Sequence, residues 1–264
     1  MKLVRAARAV FKIVHVVVLL LGAAVDLCVR PPRVGVEGAV RMHRLCRRLV
    51  RAIGLEWSVE GELPVSGAVV SNHLSYLDIL LYAAVCPFVM VAKSEVRGWA
   101  LIGWLTARAG TVFVARGGGP RTYPGVNAAM AEAYRSGLPV LFFPEGTTTD
   151  GVGVLPFRRG LFHSVLNERV PLRVAALRYS LVEDGGATVA DDVCWWGDAL
   201  LAPHLFRLLG LRGVRAEIRF GDEVKERVDR FVLSESARAA VVEMYEGAGG
   251  GAVEGACEAE LVGG

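Results

Sequence analysis

Residues 68–85 read AVVSNHLSYLDILLYAAV, and this stretch changes character twice. It begins with a short apolar run, continues with a polar segment around His73, and becomes apolar again after Asp78. A buried strand, a polar turn and an apolar helix in this order form the repeating unit of an α/β sheet. Polar residues that directly follow a buried strand lie at the carboxyl edge of such a sheet, where open α/β proteins bind their ligands.

The same alternation of short apolar runs and helix-length segments continues on both sides of this stretch, from residue 55 to residue 245. It predicts seven strands, at 56–59, 68–71, 88–92, 111–114, 140–143, 172–179 and 214–220. It predicts helices at 79–85, 99–107, 123–136, 160–167, 199–209 and 234–245. We therefore predict an α/β fold in which a sheet is flanked by helices.

The charge of the chain is divided unequally. The 264 residues carry a net charge of +3, but residues 1–51 hold eleven lysines and arginines against Asp26 and Glu37, a net of +9. The remaining 213 residues therefore sum to −6. A cationic end of this kind indicates a polyanionic partner, either nucleic acid or an anionic membrane. Because apolar residues stand between the charges, the pattern favours the membrane.

The first helix-forming segment is amphipathic and then purely apolar. Arg5, Arg8, Lys12 and His15 recur at spacings of three and four, so they form one cationic stripe on a helix. The apolar run at 16–25 has ten residues, about 15 Å of helix, whereas a membrane span needs about 20 residues. We expect a monotopic or shallow re-entrant anchor, with a single span as the alternative and a cleaved signal peptide less favoured.

A second helix is predicted at 40–53, with an apolar side and five arginines around the rest: Arg41, Arg44, Arg47, Arg48 and Arg51. Arginines near anionic headgroups contribute about 1 kcal/mol each to membrane binding. The alternative is a helix packed on the core with a solvated basic face. We predict that residues 1–54 form membrane-associating helices, 55–245 a catalytic domain, and 246–264, rich in Gly, Ala and Glu, a disordered tail.

The first cluster with chemical potential is His73 with Asp78. A carboxylate five residues beyond a histidine, across a turn, can accept the Nδ1 proton, fix the tautomer and stabilise the imidazolium. This arrangement predicts that His73 is a general base and that Asp78 orients it. The alternative is a helix-capping aspartate beside an incidental histidine.

Two further clusters follow predicted strands. The strand that begins after Gly110 delivers Arg116 at its carboxyl end, and a guanidinium suits phosphate or carboxylate. Residues 141–150 read LFFPEGTTTD, in which Glu145 is expected to bind acceptor hydroxyls and the groups of 146–149 to receive an anion. A surface arginine and a plain turn are the respective alternatives.

In this order, the three clusters resemble the phospholipid/glycerol acyltransferase family typified by bacterial 1-acyl-glycerol-3-phosphate acyltransferases. The resemblance covers roughly residues 59–220 and implies a mixed sheet flanked by helices. It implies that His73 and Asp78 are the catalytic dyad. The substrate-binding residues that it implies are Gly110, Phe113 and Arg116 on the acceptor-binding strand and Glu145, Gly146 and Thr147 in the F-P-E-G-T block.

The resemblance also implies an activity, the transfer of a fatty acyl group from acyl-CoA or acyl carrier protein to a lysophospholipid hydroxyl. The expected acceptor is 1-acyl-glycerol-3-phosphate, which gives phosphatidic acid. One departure weakens this assignment, because Thr148 stands where relatives acting on phosphatidic-acid precursors usually carry an arginine; the residues that could compensate are Arg116, Arg158 and Arg159. The segment E-G-T-T-T-D-G, together with residues 196–198 and 203–205, is similar to relatives that acylate other lyso-lipids, including lyso-ornithine lipid. No cofactor or metal is expected, since the acyl donor is a substrate and the five cysteines form no C-x-x-C pair.

Two rival functions remain at this point. A non-catalytic membrane-associated protein would not need Asp78 or Glu145. Nucleic-acid binding through residues 1–51 would be tight and would weaken with salt, but the apolar run at 16–25 argues against it, so we expect membrane lipids and no nucleic acid as partners. The expected location is the cytoplasmic face of the inner or plasma membrane, and the sequence leaves the oligomeric state open.

Overall fold

The computed structural model describes residues 2–31, 35–114, 123–182 and 185–247. Within these residues the seven predicted strands are confirmed: β1 (Leu55–Glu60), β2 (Ala68–Ser71), β3 (Val89–Lys93), β4 (Val112–Val114), β5 (Val140–Phe142), β6 (Leu172–Leu181) and β7 (Val214–Glu223). They form one sheet in the order β1-β7-β6-β2-β5-β3-β4. The central strands are short and almost fully buried, as their apolar composition predicts.

Helices cover the sheet on its two faces and edges. They are α1 (Lys2–Val29), α2 (Val36–Ala52), α3 (Leu77–Val85), α4 (Ala100–Arg108), α5 (Tyr123–Arg135), α6 (Phe162–Asn167), α7 (Val189–Asp192), α8 (Leu201–Gly210) and α9 (Arg230–Gly247). The short helix α7 and a 3-10 helix at Ser94–Gly98 were not predicted. Helix α9 takes in the first two residues of the predicted tail, and 248–264 lie outside the described residues.

The sheet is mixed, and strand direction determines which loops share an edge. Strands β6, β2, β5, β3 and β4 run parallel, so their carboxyl ends lie at one edge, which we call the site edge. Strand β7 is antiparallel to β6, and β1 is parallel to β7. The starts of β1 and β7, and the loops that precede them, therefore also lie at the site edge.

Helix α1 is attached to this edge by its cationic residues. The Lys12 ammonium is buried and donates hydrogen bonds to the Ile53 carbonyl at 2.7 Å and the Leu211 carbonyl at 2.9 Å. The Arg8 guanidinium donates to the carbonyl of Gly210, the last residue of α8, at 2.9 Å. Cations suit these positions because the last carbonyls of a helix lack partners within it. The prediction that this stripe faces the membrane is therefore wrong for Arg8 and Lys12.

The opposite face of α1 is apolar and open. The exposed large apolar side chains along it are Leu3, Val4, Val10, Phe11, Val14, Val17, Val18, Leu21, Val25 and Val29. By length and composition alone this helix is long and apolar enough to cross a membrane. It does not project from the domain, however, because its other face packs on α8 near its start and on α2 and α4 near its end.

Helix α2 is part of the hydrophobic core. Cys46 and Val50 are buried in the same cluster as the central strands, and α2 packs along α3. Of its arginines, Arg41 pairs with Asp26 of α1 and Glu37 of α2. Helix α2 thus packs on the core with a partly solvated basic face, and its contact with a membrane stays a prediction.

Candidate active site

The candidate site begins where β2 ends and β6 continues. Asn72 directly follows β2, and its buried side chain donates to the Leu177 carbonyl at 2.9 Å and accepts from the Leu177 amide at 2.8 Å. These two bonds extend the pairing with β6 beyond the last strand residue, Ser71. The backbone that leads into His73 is therefore held on the sheet.

His73 and Asp78 meet across the turn, as their spacing predicts. The His73 Nδ1 atom lies 2.7 Å from Asp78 Oδ2, the carboxylate is fully buried, and the imidazole is 12% exposed. Asp78 Oδ2 also accepts from the backbone amides of Leu74 at 2.6 Å and Ser75 at 3.0 Å. Within the part of the chain that the structure describes, His73 Nε2 has no hydrogen-bond partner, so this nitrogen is open to a ligand.

The F-P-E-G-T block closes on the same turn. The ring of Phe143, at the end of β5, stacks on the His73 imidazole with centroids 4.1 Å apart and planes at 11°. The Thr149 amide donates to the His73 carbonyl at 3.0 Å. The structure thus brings the first and third predicted clusters together, because β2 and β5 are parallel neighbours.

Glu145 is turned into the protein. Glu145 is only 3% exposed. Its Oε1 atom accepts a hydrogen bond from the His73 amide at 2.6 Å, and its Oε2 atom accepts one from the Leu155 amide at 2.8 Å. This differs from the predicted contact with acceptor hydroxyls, because both oxygens already bind amides of the chain. Burial raises the pKa of Glu145 to about 7 and outweighs these two amide hydrogen bonds, which lower it.

The raised pKa of Glu145 makes the stability of the fold depend on pH. The folded state favours the protonated carboxyl, so the stabilisation is full below the usual pKa of 4.5 and is lost as the pH rises through about 7. In the wild type, we expect the free energy of unfolding to fall by up to about 3 kcal/mol between pH 4.5 and 8 because of this carboxyl. Glu145→Gln should remove that fall, and urea unfolding at a series of pH values measures it. Glu235→Gln is the control, because Glu235 forms an exposed ion pair with Arg159, and this variant should keep the wild-type dependence of stability on pH. The same dependence in both variants would contradict the raised pKa of Glu145.

The other two residues of the block lie at the surface of the turn. Gly146 has φ +74°, a backbone conformation that favours glycine. A Cβ at this position would also meet the Arg158 Nε atom at 2.5 Å, a contact that the flexible arginine side chain can relieve. Thr147 is exposed. Among the residues that the structure describes, no carboxylate pairs with the Arg158 guanidinium, which stays a free cation beside the turn.

The two described residues of the second predicted cluster, Gly110 and Phe113, do not join the dyad. Gly110 precedes β4 and lies at the edge opposite the site edge, where its φ of +82° ends the turn after α4. Phe113, within β4, lies under the Arg97 guanidinium at 5.7 Å. Two strands separate β4 from β2, a distance of about 14 Å between the two strands. Arg116 lies outside the described residues.

Three hydrogen bonds at the site were not predicted. The Tyr179 hydroxyl, from β6, donates to Asp78 Oδ1 at 2.8 Å. The Trp195 amide donates to the Leu74 carbonyl at 2.9 Å, and the Thr148 hydroxyl donates to the Trp195 carbonyl. Tyr179 is one of several polar residues on β6, and nothing local in the sequence connects it to Asp78.

The arrangement suits proton transfer to and from a hydroxyl group. A histidine with one nitrogen held by a buried carboxylate and the other open is the geometry of a general base. Among the described residues there is no cluster of three or more histidine, cysteine or acidic side chains that could hold a metal ion. The fold and the site are those expected of a group-transfer enzyme, and the histidine base stays a prediction.

Comparisons with known proteins identify the family. The sequence profile described as Acyltransferase matches residues 59–176. A lyso-ornithine lipid O-acyltransferase of Pseudomonas aeruginosa is 36% identical over 247 residues, which are 90% of this chain and 91% of that protein. A 1-acyl-sn-glycerol-3-phosphate acyltransferase of Neisseria gonorrhoeae is 34% identical over 188 residues, 69% of this chain and 72% of that protein. The chain belongs to the acyltransferase family.

A solved structure supports the fold independently. The acyltransferase PlsC of Thermotoga maritima superposes with a TM-score of 0.62 at 16% identity, covering 82% of this chain and 81% of that one. The family and the two groups of relatives establish an O-acyltransferase of lysophospholipid-type substrates. Its reaction uses a lipid substrate and an acyl donor, and the apolar α1 indicates membrane association.

Proposed function

We propose that His73 and Asp78 catalyse direct acyl transfer from a thioester, acyl-CoA or acyl carrier protein, to a lysolipid hydroxyl. The observation that carries this proposal is the 2.7 Å contact between His73 Nδ1 and Asp78 Oδ2, with Nε2 open. The hydroxyl oxygen attacks the thioester carbonyl as its proton moves to Nε2. Collapse of the tetrahedral intermediate breaks the C–S bond, and the imidazolium returns the proton to the thiolate. No cofactor takes part.

The proposed acceptor is a lyso-ornithine-type lipid. Two observations support it: the Pseudomonas aeruginosa relative matches nearly the whole chain, and Thr148 occupies the position after F-P-E-G-T with its hydroxyl turned to the Trp195 carbonyl. This position therefore offers no cation to a phosphate. Lysophosphatidate is the second candidate, favoured by the unpaired Arg158 guanidinium beside Gly146, which suits a phosphate as well as a carboxylate.

The proposed location is the cytoplasmic leaflet, with α1 lying in the membrane interface. The polar anchors of α1 bind loops at the site edge through Lys12 and Arg8, so the part of its apolar face around these anchors starts at the edge that carries His73. A soluble thioester donor and a lipid acceptor can then meet at this edge. Such an interfacial helix delivers a lipid-embedded acceptor without a membrane span.

An acceptor panel tests the proposed activity. The purified full chain is assayed with labelled acyl-CoA and acyl carrier protein against lyso-ornithine lipid, lysophosphatidate and lysophosphatidylethanolamine. We expect kcat/KM for lyso-ornithine lipid to exceed that for lysophosphatidate by about tenfold or more. This ratio corresponds to about one charge-assisted hydrogen bond, which the phosphate of lysophosphatidate lacks because Thr148 offers it no cation. A preference for lysophosphatidate would contradict lyso-ornithine lipid as the acceptor and favour lysophosphatidate instead. The absence of transfer to any acceptor would contradict the proposed activity.

A further inference from the structure

The Asp78 carboxylate is bound in two different ways at its two oxygens. Oδ2 accepts from His73 Nδ1 and from the amides of Leu74 and Ser75, all within the same turn. Oδ1 accepts from the Tyr179 hydroxyl at 2.8 Å, and the described residues offer it no other donor. Asp78 is fully buried, so water does not replace a missing partner.

Tyr179 is held in place for this contact by β6. Strand β6 runs past the end of β2, and Asn72 binds Leu177, two residues before Tyr179 on the same face of the strand. Burial and the nearby Asp78 charge raise the pKa of Tyr179 well above its usual value, so the hydroxyl keeps its proton and donates. The contact therefore persists throughout the pH range in which a histidine base works.

We propose that Tyr179 is a positioning residue for acyl transfer, which fixes the Asp78 carboxylate through Oδ1 and thereby orients the His73 imidazole. It does not touch the substrate. Without this donor, a buried carboxylate oxygen is left without a partner. The carboxylate then loses the one contact that fixes Oδ1 and is held through Oδ2 alone, and its greater residual charge holds the imidazolium proton more tightly.

The test is Tyr179→Phe in the full chain, and it rests on the proposed dyad mechanism. We expect kcat to fall about tenfold with the acceptor KM unchanged, since a hydrogen bond to a charged group is lost and no substrate contact is removed. We also expect the acid limb of the pH–rate profile to move to higher pH by about half a unit. A stability effect alone would not move this limb.

Tyr82→Phe is the matched control. Tyr82 is also a fully buried tyrosine, and its hydroxyl bonds Ser71 Oγ at 2.7 Å instead of Asp78. Both variants lose one buried hydroxyl, so their losses of thermal stability should be similar, but Tyr82→Phe should leave the pH profile unchanged. The same kcat and pH profile in wild type and Tyr179→Phe, or equal shifts in both variants, would overturn the inference.

A double-mutant cycle with Asp78→Asn gives a second readout that does not depend on stability. If Tyr179 acts through Asp78, adding Tyr179→Phe to Asp78→Asn lowers kcat no further, whereas independent roles give multiplicative losses. His73→Ala separates the two hypotheses. Full activity of His73→Ala contradicts the dyad itself, whereas an inactive His73→Ala with a fully active Tyr179→Phe contradicts only the role of Tyr179.

Discussion

Replacing His73 by alanine is expected to lower the rate of acyl transfer by about a thousandfold or more. A positioned general base contributes about 10² to 10⁴ in rate, and no other imidazole is in contact with Asp78 among the described residues. The acceptor hydroxyl would have to lose its proton to water while it attacks the thioester. The measurement is the initial rate of labelled acyl transfer by the full chain, at saturating donor and acceptor.

His163 provides the control for this substitution. It is exposed on α6, and His163→Ala removes an imidazole of the same size without touching the site. We expect full activity in that variant, and the same circular dichroism spectrum and melting temperature in both. Transfer by His73→Ala at more than about a tenth of the wild-type rate would refute the assignment of the base.

The sequence predicted this dyad because its geometry is local. Five residues that include a turn and the first turn of a helix bring His73 Nδ1 onto Asp78 Oδ2, and the two backbone amides that bind Oδ2 come from the same turn. The Tyr179 contact joins residues 101 positions apart. It depends on how far β6 runs past β2, and periodicity in one strand does not reveal its register against another.

Glu145 and Gly110 show that a sequence motif does not determine where its residues lie in the fold. Each is in a motif that the sequence marks as a site, but a motif names residues and not the direction of their side chains. The Glu145 carboxylate binds amides of two separate loops, and Gly110 lies at the far edge of the sheet. Their placement follows from tertiary packing, which spacing alone does not determine.

Arg8 and Lys12 were misassigned for a related reason. A stripe of arginine and lysine on a helix suits lipid headgroups and also suits the free carbonyls at helix ends. The carbonyl acceptors of Lys12 are 41 and 199 residues away along the chain. The pattern identifies an amphipathic helix, and only the fold shows that Arg8 and Lys12 are turned to the protein and the apolar face outward.

This orientation predicts a loss of membrane binding when charge is placed on the apolar face of α1. The full-length variant Phe11→Asp, Val14→Asp, Val18→Asp alters three side chains that are 71%, 57% and 60% exposed. We expect its affinity for vesicles of phosphatidylglycerol and phosphatidylcholine to fall about a hundredfold, because each substitution removes about 1 kcal/mol or more of apolar burial. Co-sedimentation measures the bound fraction against lipid concentration.

The matched control places the same three charges at the opposite edge of the sheet. Leu63, Val65 and Val228 are 45%, 82% and 85% exposed and lie in the loops that follow β1 and β7. If α1 is the membrane-binding surface, the Leu63→Asp, Val65→Asp, Val228→Asp variant binds vesicles like wild type. Equal binding by the α1 variant and the wild type would contradict this orientation. A loss confined to the α1 variant would assign membrane binding to this helix, whose anchored start lies at the site edge.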